Sequence, residues 1–165
     1  MTDATLLTDR ARPAIRLERH LEDPPEIVWQ ALTDREQLRS WFPCDVIVNG
    51  GRWEVGAAIT FPFPPEVLDL TLTGEVLEVD EPNVLAFTWG DDSLRFELAA
   101  DGDGTRLVLI DELPPEAAAR NAAGWESCLD RLEGREADDW QPRFERYAAA
   151  FEPTLGPQQS RPETA

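Results

Sequence analysis

The chain has 165 residues, with 33 acidic side chains against 15 basic ones and a formal net charge of −18. Its length favours one domain, and a hydrophobic content of 42% with six tryptophans excludes wholesale disorder. The acidic balance argues against nucleic acid and anionic membrane surfaces as partners, because no basic stripe is present to neutralise phosphates.

Several residue types are scarce enough to exclude particular chemistries. All 15 basic residues are arginine, so Schiff-base chemistry on lysine and lysine-based phosphate binding are excluded. A single histidine, His20, rules out a His-rich metal site and leaves few groups for acid–base work. We therefore expect no catalytic residue, no metal and no cofactor.

The lack of a recognisable targeting signal and the cysteine usage both indicate the cytoplasm. No apolar run approaches the roughly 18–20 residues of a membrane span, and the N-terminus lacks the basic start and apolar core of a secretory signal. Cys44 and Cys128 belong to no CxxC pair and are predicted to be free, buried thiols. These features predict a cytoplasmic protein without membrane insertion.

The chain divides into a flexible leader (1–13), one domain (14–152) and a disordered tail (153–165). Apolar and polar residues alternate over 15–21, which predicts a half-buried strand with His20 on its polar face. Arg19 falls on the apolar side of that strand. Either it is a buried arginine paired with a carboxylate, or the strand ends there.

Two short helices are predicted after this strand. Pro24 and Pro25 are typical of a first helical turn, where the backbone amides lack partners. Thr33 and Glu36 have the spacing of a capping box, so a second helix is predicted to begin there and to end before Pro43.

The central part of the chain reads as a run of strands. The predicted strands are 45–48, 52–55, 57–63, 68–79, 84–89, 94–99 and 105–110. The connections are short enough for hairpins, which predicts an antiparallel meander. Prolines over 62–65 interrupt pairing and indicate an edge or an exposed loop.

The last third of the chain is predicted to be helical. A long helix is indicated by apolar residues spaced 4, 3, 4 and 3 apart: Ala118, Ala122, Trp125, Leu129 and Leu132. Gly134 would end it, and Asp138 or Asp139 would cap a final helix. Grouped strands followed by helices are typical of the α+β class.

Several segments together resemble the START/Bet v 1-like (SRPBCC) superfamily, and more narrowly its branch of activator of Hsp90 ATPase homologue 1-like proteins. The segments are 17–21, 24–34, 38–42, 85–89, 104–107 and 124–132. The resemblance covers about residues 14–151. It implies a helix-grip fold, in which a curved antiparallel sheet wraps a long C-terminal helix and two short helices close one end.

The resemblance also implies a function. The superfamily typically holds apolar ligands between sheet and helix, so a protein that binds an apolar, aromatic or lipid-like small molecule is expected, as a monomer or dimer. The alternative is a co-chaperone-like domain that binds a chaperone or another protein. A cyclase or dehydratase in the same cavity is the third possibility.

The candidate cavity residues are mostly aromatic. They are Trp41, Phe42, Trp53, Phe61, Phe63, Phe87, Trp89, Phe96, Trp125, Cys128, Leu129 and Arg19. Large rings on a concave sheet suit a flat or apolar ligand. The alternative, that the rings fill the core outright, remains open because periodicity does not show whether a void exists. Gly124 would let the helix approach the sheet or leave space beside it.

Overall fold

The computed structural model describes residues 4–160, which form one curved antiparallel sheet with helices packed on it. The strands are β1 (Thr5–Leu7), β2 (Ala14–Leu21), β3 (Ile47–Val48), β4 (Ala58–Pro62), β5 (Thr71–Asp80), β6 (Val84–Trp89), β7 (Asp92–Asp101) and β8 (Gly104–Glu112). The helices are α1 (Pro25–Thr33), α2 (Arg35–Leu38), α3 (Ala118–Leu132) and α4 (Trp140–Leu155).

The sheet order confirms the predicted meander. The strands lie in the order β1-β2-β8-β7-β6-β5-β4-β3, and every neighbouring pair is antiparallel. In the described part of the chain, only the contact between β2 and β8 joins strands that are distant in the sequence. The α+β class and the helix-grip architecture are thus confirmed.

The core lies between the sheet and α3, and the pleat decides which residues enter it. Alternate residues of a strand point to the same face, so Leu94, Phe96 and Leu98 of β7 are all buried. On β8, Leu107 and Leu109 are buried in the same way. This inward face extends to one further residue on each strand, and both of these residues are aspartates.

Among residues 4–160, secondary structure extends beyond the predicted bounds of the domain on both sides. Residues Thr5–Leu7 pair with β2, and the Ala4 amide donates a hydrogen bond to the Tyr147 hydroxyl at 2.8 Å. Residues 5–7 of the predicted leader thus form a paired strand, while residues 1–3 lie outside the described part. The final helix continues to Leu155, so the tail predicted from residue 153 starts within a helix. Residues 161–165 also lie outside the described part.

Two local predictions are corrected by the structure. Residues 52–55 are not a strand, since Asn49–Gly51 forms a tight turn in which Gly50 has a φ of 80°. Thr33 does not cap α2. Its hydroxyl donates to the Trp29 carbonyl within α1, and the Asp34 carboxylate accepts from the Glu36 amide instead.

The proline-rich segment after β4 resolves the alternative left open by the sequence. β4 ends at Pro62 and lies between β3 and β5, so it is not an edge strand. Residues 63–70 form a loop, closed by a hydrogen bond from the Phe63 amide to the Leu70 carbonyl at 3.0 Å. This loop forms one wall of the candidate site.

Within residues 4–160, none of the helices has the length and apolarity required to cross a membrane.

Candidate ligand-binding groove

A groove with a volume of about 540 Å³ opens at one end of the interface between the sheet and α3. Its walls come from the loop after β4, the turn between β6 and β7, the first half of α3 and the start of α4. The apolar lining is formed by Phe63, Leu68, Leu70, Leu72, Trp89, Trp125 and Trp140. The size lies within the range of small-molecule sites.

The indole rings of the groove are held by the fold. Trp89 is the last residue of β6, and its ring lies 5.4 Å from that of Trp125, centroid to centroid. The Trp125 indole Nε1 donates to Asp111 Oδ2 at 2.9 Å, which fixes the ring on α3. Phe63 also packs against Trp89, with ring centroids 6.2 Å apart. The groove is therefore bounded by aromatic surfaces that are already positioned.

Gly124 keeps one side of the groove open. It lies inside α3, immediately before Trp125, and it lines the groove. A Cβ atom added at this position would meet no heavy atom within 4 Å. Gly124 could either let the helix approach the sheet or leave space beside the helix, and in the structure it leaves space. A glycine inside a helix costs about 1 kcal/mol relative to alanine, so its presence is not explained by helix stability.

Two carboxyl groups form a polar end of the groove. Asp92 begins β7 and lines the groove, and Asp111 lies behind it on β8 at 0% exposure. The Asn121 amide nitrogen donates to both, at 2.8 Å to Asp92 Oδ2 and 3.2 Å to Asp111 Oδ2. Asp111 Oδ1 has no hydrogen-bond partner among residues 4–160. An unpartnered carboxyl oxygen in a buried position is costly when the group is charged, which favours the protonated form of Asp111.

Burial and mutual repulsion control the charge of this pair. Burial raises the pKa of Asp111 well above its usual range, and the neighbouring Asp92 carboxylate raises it further, against hydrogen bonds from Trp125 and Asn121. Burial also raises the pKa of Asp92, opposed by the hydrogen bonds that it accepts. Two adjacent carboxyl groups do not both ionise readily, so the pair can hold one proton at the groove wall and release it.

Arg120 adds a cation next to the pair. It lies on the first turn of α3 and lines the groove, and its Nε donates to Asn121 Oδ1 at 3.2 Å. Burial lowers the pKa of this guanidinium, and the charges of Asp92 and Asp111 oppose that shift. Among residues 4–160, no group of three or more His, Cys, Asp or Glu side chains is placed to hold a metal ion.

The structure brings three of the predicted cavity residues to this groove: Phe63, Trp89 and Trp125. Others lie in the core, where they pack against one another: Phe42, Phe61, Phe87, Phe96, Cys128 and Leu129. Phe42, for example, contacts four other rings at centroid distances of 5.5–6.4 Å, those of Phe61, Phe87, Trp89 and Trp125. Rings thus fill much of the interior, and open space remains at its end.

Two further tryptophans from the predicted set hold the short helices in place. Trp41 is buried and donates from Nε1 to the Ala31 carbonyl, and Trp53 donates from Nε1 to the Thr33 carbonyl, both at 2.9 Å. Trp41 also borders a second, more polar groove of about 510 Å³ beside α1. This second groove is separate from the ligand-binding groove and shares no lining residue with it.

Arg19 is buried and pairs with carboxylates of the protein itself. Its Nη1 lies 2.9 Å from Asp130 Oδ1 and 2.7 Å from Glu133 Oε2, both at the C-terminal end of α3. The first of the two alternatives for Arg19 is thus the observed one. Arg106 on β8 is exposed on the other face of the sheet and pairs with Glu18.

Both cysteines are free and buried, as predicted. Burial raises the pKa of each thiol to about 12, so neither is a thiolate near neutral pH. Cys128 lies in the core beside Leu129 rather than on the groove.

Sequence reasoning missed the polar end of the groove, although a signal was present. The inward rows of β7 and β8 contain Leu94 and Leu109, and each continues by two residues to Asp92 and Asp111. The predicted strand 94–99 begins two residues after Asp92, which falls in a predicted connection, and the predicted strand 105–110 ends one residue before Asp111. Extending the alternation by one step on each strand would have placed two carboxyl groups in the interior.

Comparison with known families and structures agrees with this fold. The model of the family described as activator of Hsp90 ATPase homolog 1-like protein matches residues 22–135, more than half of the chain. The chain belongs to this family. The match includes the two short helices, β3 to β8 and α3, and therefore the polar end of the groove. A comparison with proteins of curated function finds no match.

Several solved structures share this fold. EF2215 from Enterococcus faecalis, described as a conserved protein of unknown function, is 24% identical with a TM-score of 0.74, over 89% of each chain. CalU16 from Micromonospora echinospora is 23% identical with a TM-score of 0.70, over 90% of this chain and 96% of its own. DynU16, described as a protein of the dynemicin biosynthetic locus, is 22% identical with a TM-score of 0.60, over 76% and 49%.

Proposed function

We propose that this protein binds an apolar, planar small molecule in the groove beside Gly124. The observation that carries the proposal is the open space at Gly124 beside fixed aromatic rings: apart from the backbone of α3 and the neighbouring residues Ala123 and Trp125, no heavy atom lies within 4 Å of the position of its absent Cβ. A glycine inside a helix is unfavourable, and an unfilled groove leaves its apolar lining in contact with water. A ligand that fills the space gives both features a purpose.

Burial of apolar surface supplies the binding free energy in this proposal. A planar ring that removes apolar groove surface from water gains about 25 cal/mol for each Å² of apolar area buried. The rings of Trp89 and Trp125 are already held by the core and by Asp111, so little conformational freedom is lost on binding. The same fold in DynU16, described as a protein of a biosynthetic locus, is compatible with a small-molecule ligand.

The test is to fill the groove with a side chain. N-phenyl-1-naphthylamine is a neutral, apolar probe that fluoresces when it leaves water, and we expect the wild-type protein to bind it. Gly124→Phe places a ring in the open space and should weaken binding at least tenfold, or about 1.4 kcal/mol. Gly124→Ala adds one methyl group and should retain most of the binding.

The matched control is Ala150→Phe, which adds the same ring to an exposed position of α4. It should bind the probe like the wild type. Thermal unfolding of all variants checks that the fold is intact, and Gly124→Ala should unfold at a higher temperature than the wild type because of its better helix propensity. Unchanged probe binding by Gly124→Phe would contradict the proposed site.

A further inference from the structure

Arg120 has an unusual environment for a guanidinium. It lies half-buried at the groove wall, and its one side-chain hydrogen bond within residues 4–160 goes from Nε to Asn121. No carboxylate of these residues forms an ion pair with it. The guanidinium carries five N–H donors, so donors remain that protein groups do not use. Those donors lie beside the space that the proposed ligand would fill.

An acceptor lies next to these donors. Asp92 also lines the groove, and its Oδ2 accepts a hydrogen bond from the Asn121 amide nitrogen at 2.8 Å. A carboxylate can accept about four hydrogen bonds, so Asp92 has capacity for a ligand donor. Asn121 bonds Arg120 through its oxygen and Asp92 through its nitrogen, and so holds donor and acceptor side by side. Asp111, fully buried behind them, supports this arrangement through Asn121.

We propose that Arg120 and Asp92 together recognise a hydroxyl group on the planar apolar ligand. This inference rests on the proposed function and adds the chemical class of the ligand. The ligand oxygen accepts from the Arg120 guanidinium, and its O–H donates to the Asp92 carboxylate. The indole rings of the groove pack against the ring that carries the hydroxyl group, and Gly124 provides the space for it.

The charges around the site favour a neutral group over an ion. A ligand carboxylate bound to Arg120 would lie against Asp92 and inside a protein of formal charge −18. A ligand ammonium bound to Asp92 would lie against Arg120. A hydroxyl group uses both protein groups at once, as donor and as acceptor, without bringing a further charge into a half-buried site.

Three naphthalenes of similar shape test this inference by calorimetry. 2-Naphthol can donate and accept a hydrogen bond, 2-methoxynaphthalene can only accept, and 2-methylnaphthalene can do neither. We expect the wild-type protein to bind 2-naphthol about tenfold more tightly than the methyl compound, with the ether between them. Ether binding as tight as that of 2-naphthol would overturn the role of Asp92.

Two variants connect the preference to the residues. Arg120→Met keeps a long side chain on α3 but removes the donors, and Asp92→Asn turns an amide nitrogen toward the groove while its oxygen accepts from Asn121. In Asp92→Asn, 2-naphthol should bind no more tightly than 2-methoxynaphthalene, because only the hydrogen bond from Arg120 remains. In Arg120→Met, 2-methoxynaphthalene should bind no more tightly than 2-methylnaphthalene and 2-naphthol should bind less tightly than it binds to the wild type. 2-Methylnaphthalene should bind both variants as it binds the wild type. Retained binding of the methyl compound shows that the variants are folded.

The possible outcomes separate the two proposals. If the three compounds bind the wild-type protein equally, the hydroxyl preference is wrong and the apolar groove stands. If 2-naphthol is preferred and both variants keep that preference, recognition occurs elsewhere and this inference is wrong. If none of the three compounds binds, the proposed function fails and this inference fails with it.

Discussion

Replacing Asp130 with alanine is expected to lower the free energy of unfolding by about 3 kcal/mol, the loss typical of a buried ion pair with one partner removed. Asp130 is buried on α3 and accepts from Arg19 on β2 at 2.9 Å and from Arg143 on α4 at 2.7 Å. Both guanidinium groups are also buried, so they would lose a carboxylate without gaining water. Urea unfolding measures the change.

Asp138→Ala is the matched control for this effect. Asp138 also contacts Arg143, at 3.3 Å, but its side chain is 81% exposed. Exposed pairs contribute little, so this variant should lose less than about 1 kcal/mol. Equal losses in the two variants would contradict the view that burial of the ion-pair network holds α4 against α3.

The Asp130 network also predicts a response to acid. Burial raises the pKa of Asp130, but hydrogen bonds from Arg143 and Arg19 outweigh it, and the net pKa lies below the usual carboxyl range. A carboxyl group with a lowered pKa in the folded state stabilises the fold above its unfolded-state pKa. Its contribution is lost as the pH falls through the folded-state pKa, so Asp130→Ala should differ least from the wild type in strong acid.

Asp111→Asn is expected to have the opposite sign: it should stabilise the protein at pH 8. The pKa of Asp111 is raised in the folded state by burial and by Asp92. Such a group stabilises the fold below its unfolded-state pKa, and this contribution is lost as the pH rises through the raised folded-state pKa. Asparagine has no such loss, and its amide can accept from Trp125 and donate to Asp92 as the protonated acid does.

Thermal unfolding of the wild type and Asp111→Asn between about pH 5 and pH 8 provides the measurement. The difference should grow with pH and reach several degrees at pH 8, since about 1 kcal/mol shifts the midpoint by 2–4 °C in a chain of this size. The other charged groups that act on the pair are Arg12, before β2, and Arg120, on α3. The exposed substitution Asp103→Asn should leave the pH dependence unchanged. Parallel curves for Asp111→Asn and wild type would contradict a proton-holding pair.

The fold could be predicted because its signals are local. Alternation defined β6 and β7, and the spacing from Ala118 to Leu132 defined α3, since each pattern reflects one buried face of one element. A carboxylate partner for Arg19 is predicted as one alternative for the same reason. Arg19 lies in the apolar row of its strand, and a buried guanidinium requires a partner of opposite charge. Its identity could not be predicted, because Asp130 is 111 residues away in the sequence.

The site was harder to predict because it depends on packing between elements. Phe42, Phe87 and Trp89 are all large aromatic residues in apolar segments of the sequence. Phe42 and Phe87 nevertheless fill the core, whereas Trp89 lines the groove. No periodicity distinguishes a ring that fills a void from one that borders it. Arg120 shows the same limit, because its open donors depend on where Asn121 and the wall of the groove lie. For Asp92 and Asp111 the sequence does contain a signal, because each lies two residues beyond a buried leucine and so continues the inward row of its strand.

The most direct test of the groove is to follow the six indole N–H groups by ¹H–¹⁵N NMR during titration with N-phenyl-1-naphthylamine. Trp89, Trp125 and Trp140 line the groove, whereas Trp29, Trp41 and Trp53 lie outside it. We predict that the indole signals of the first three shift with a common saturation curve and that those of the other three stay in place. Shifts centred on Trp41, beside the second groove, or no shift at any indole would contradict the account.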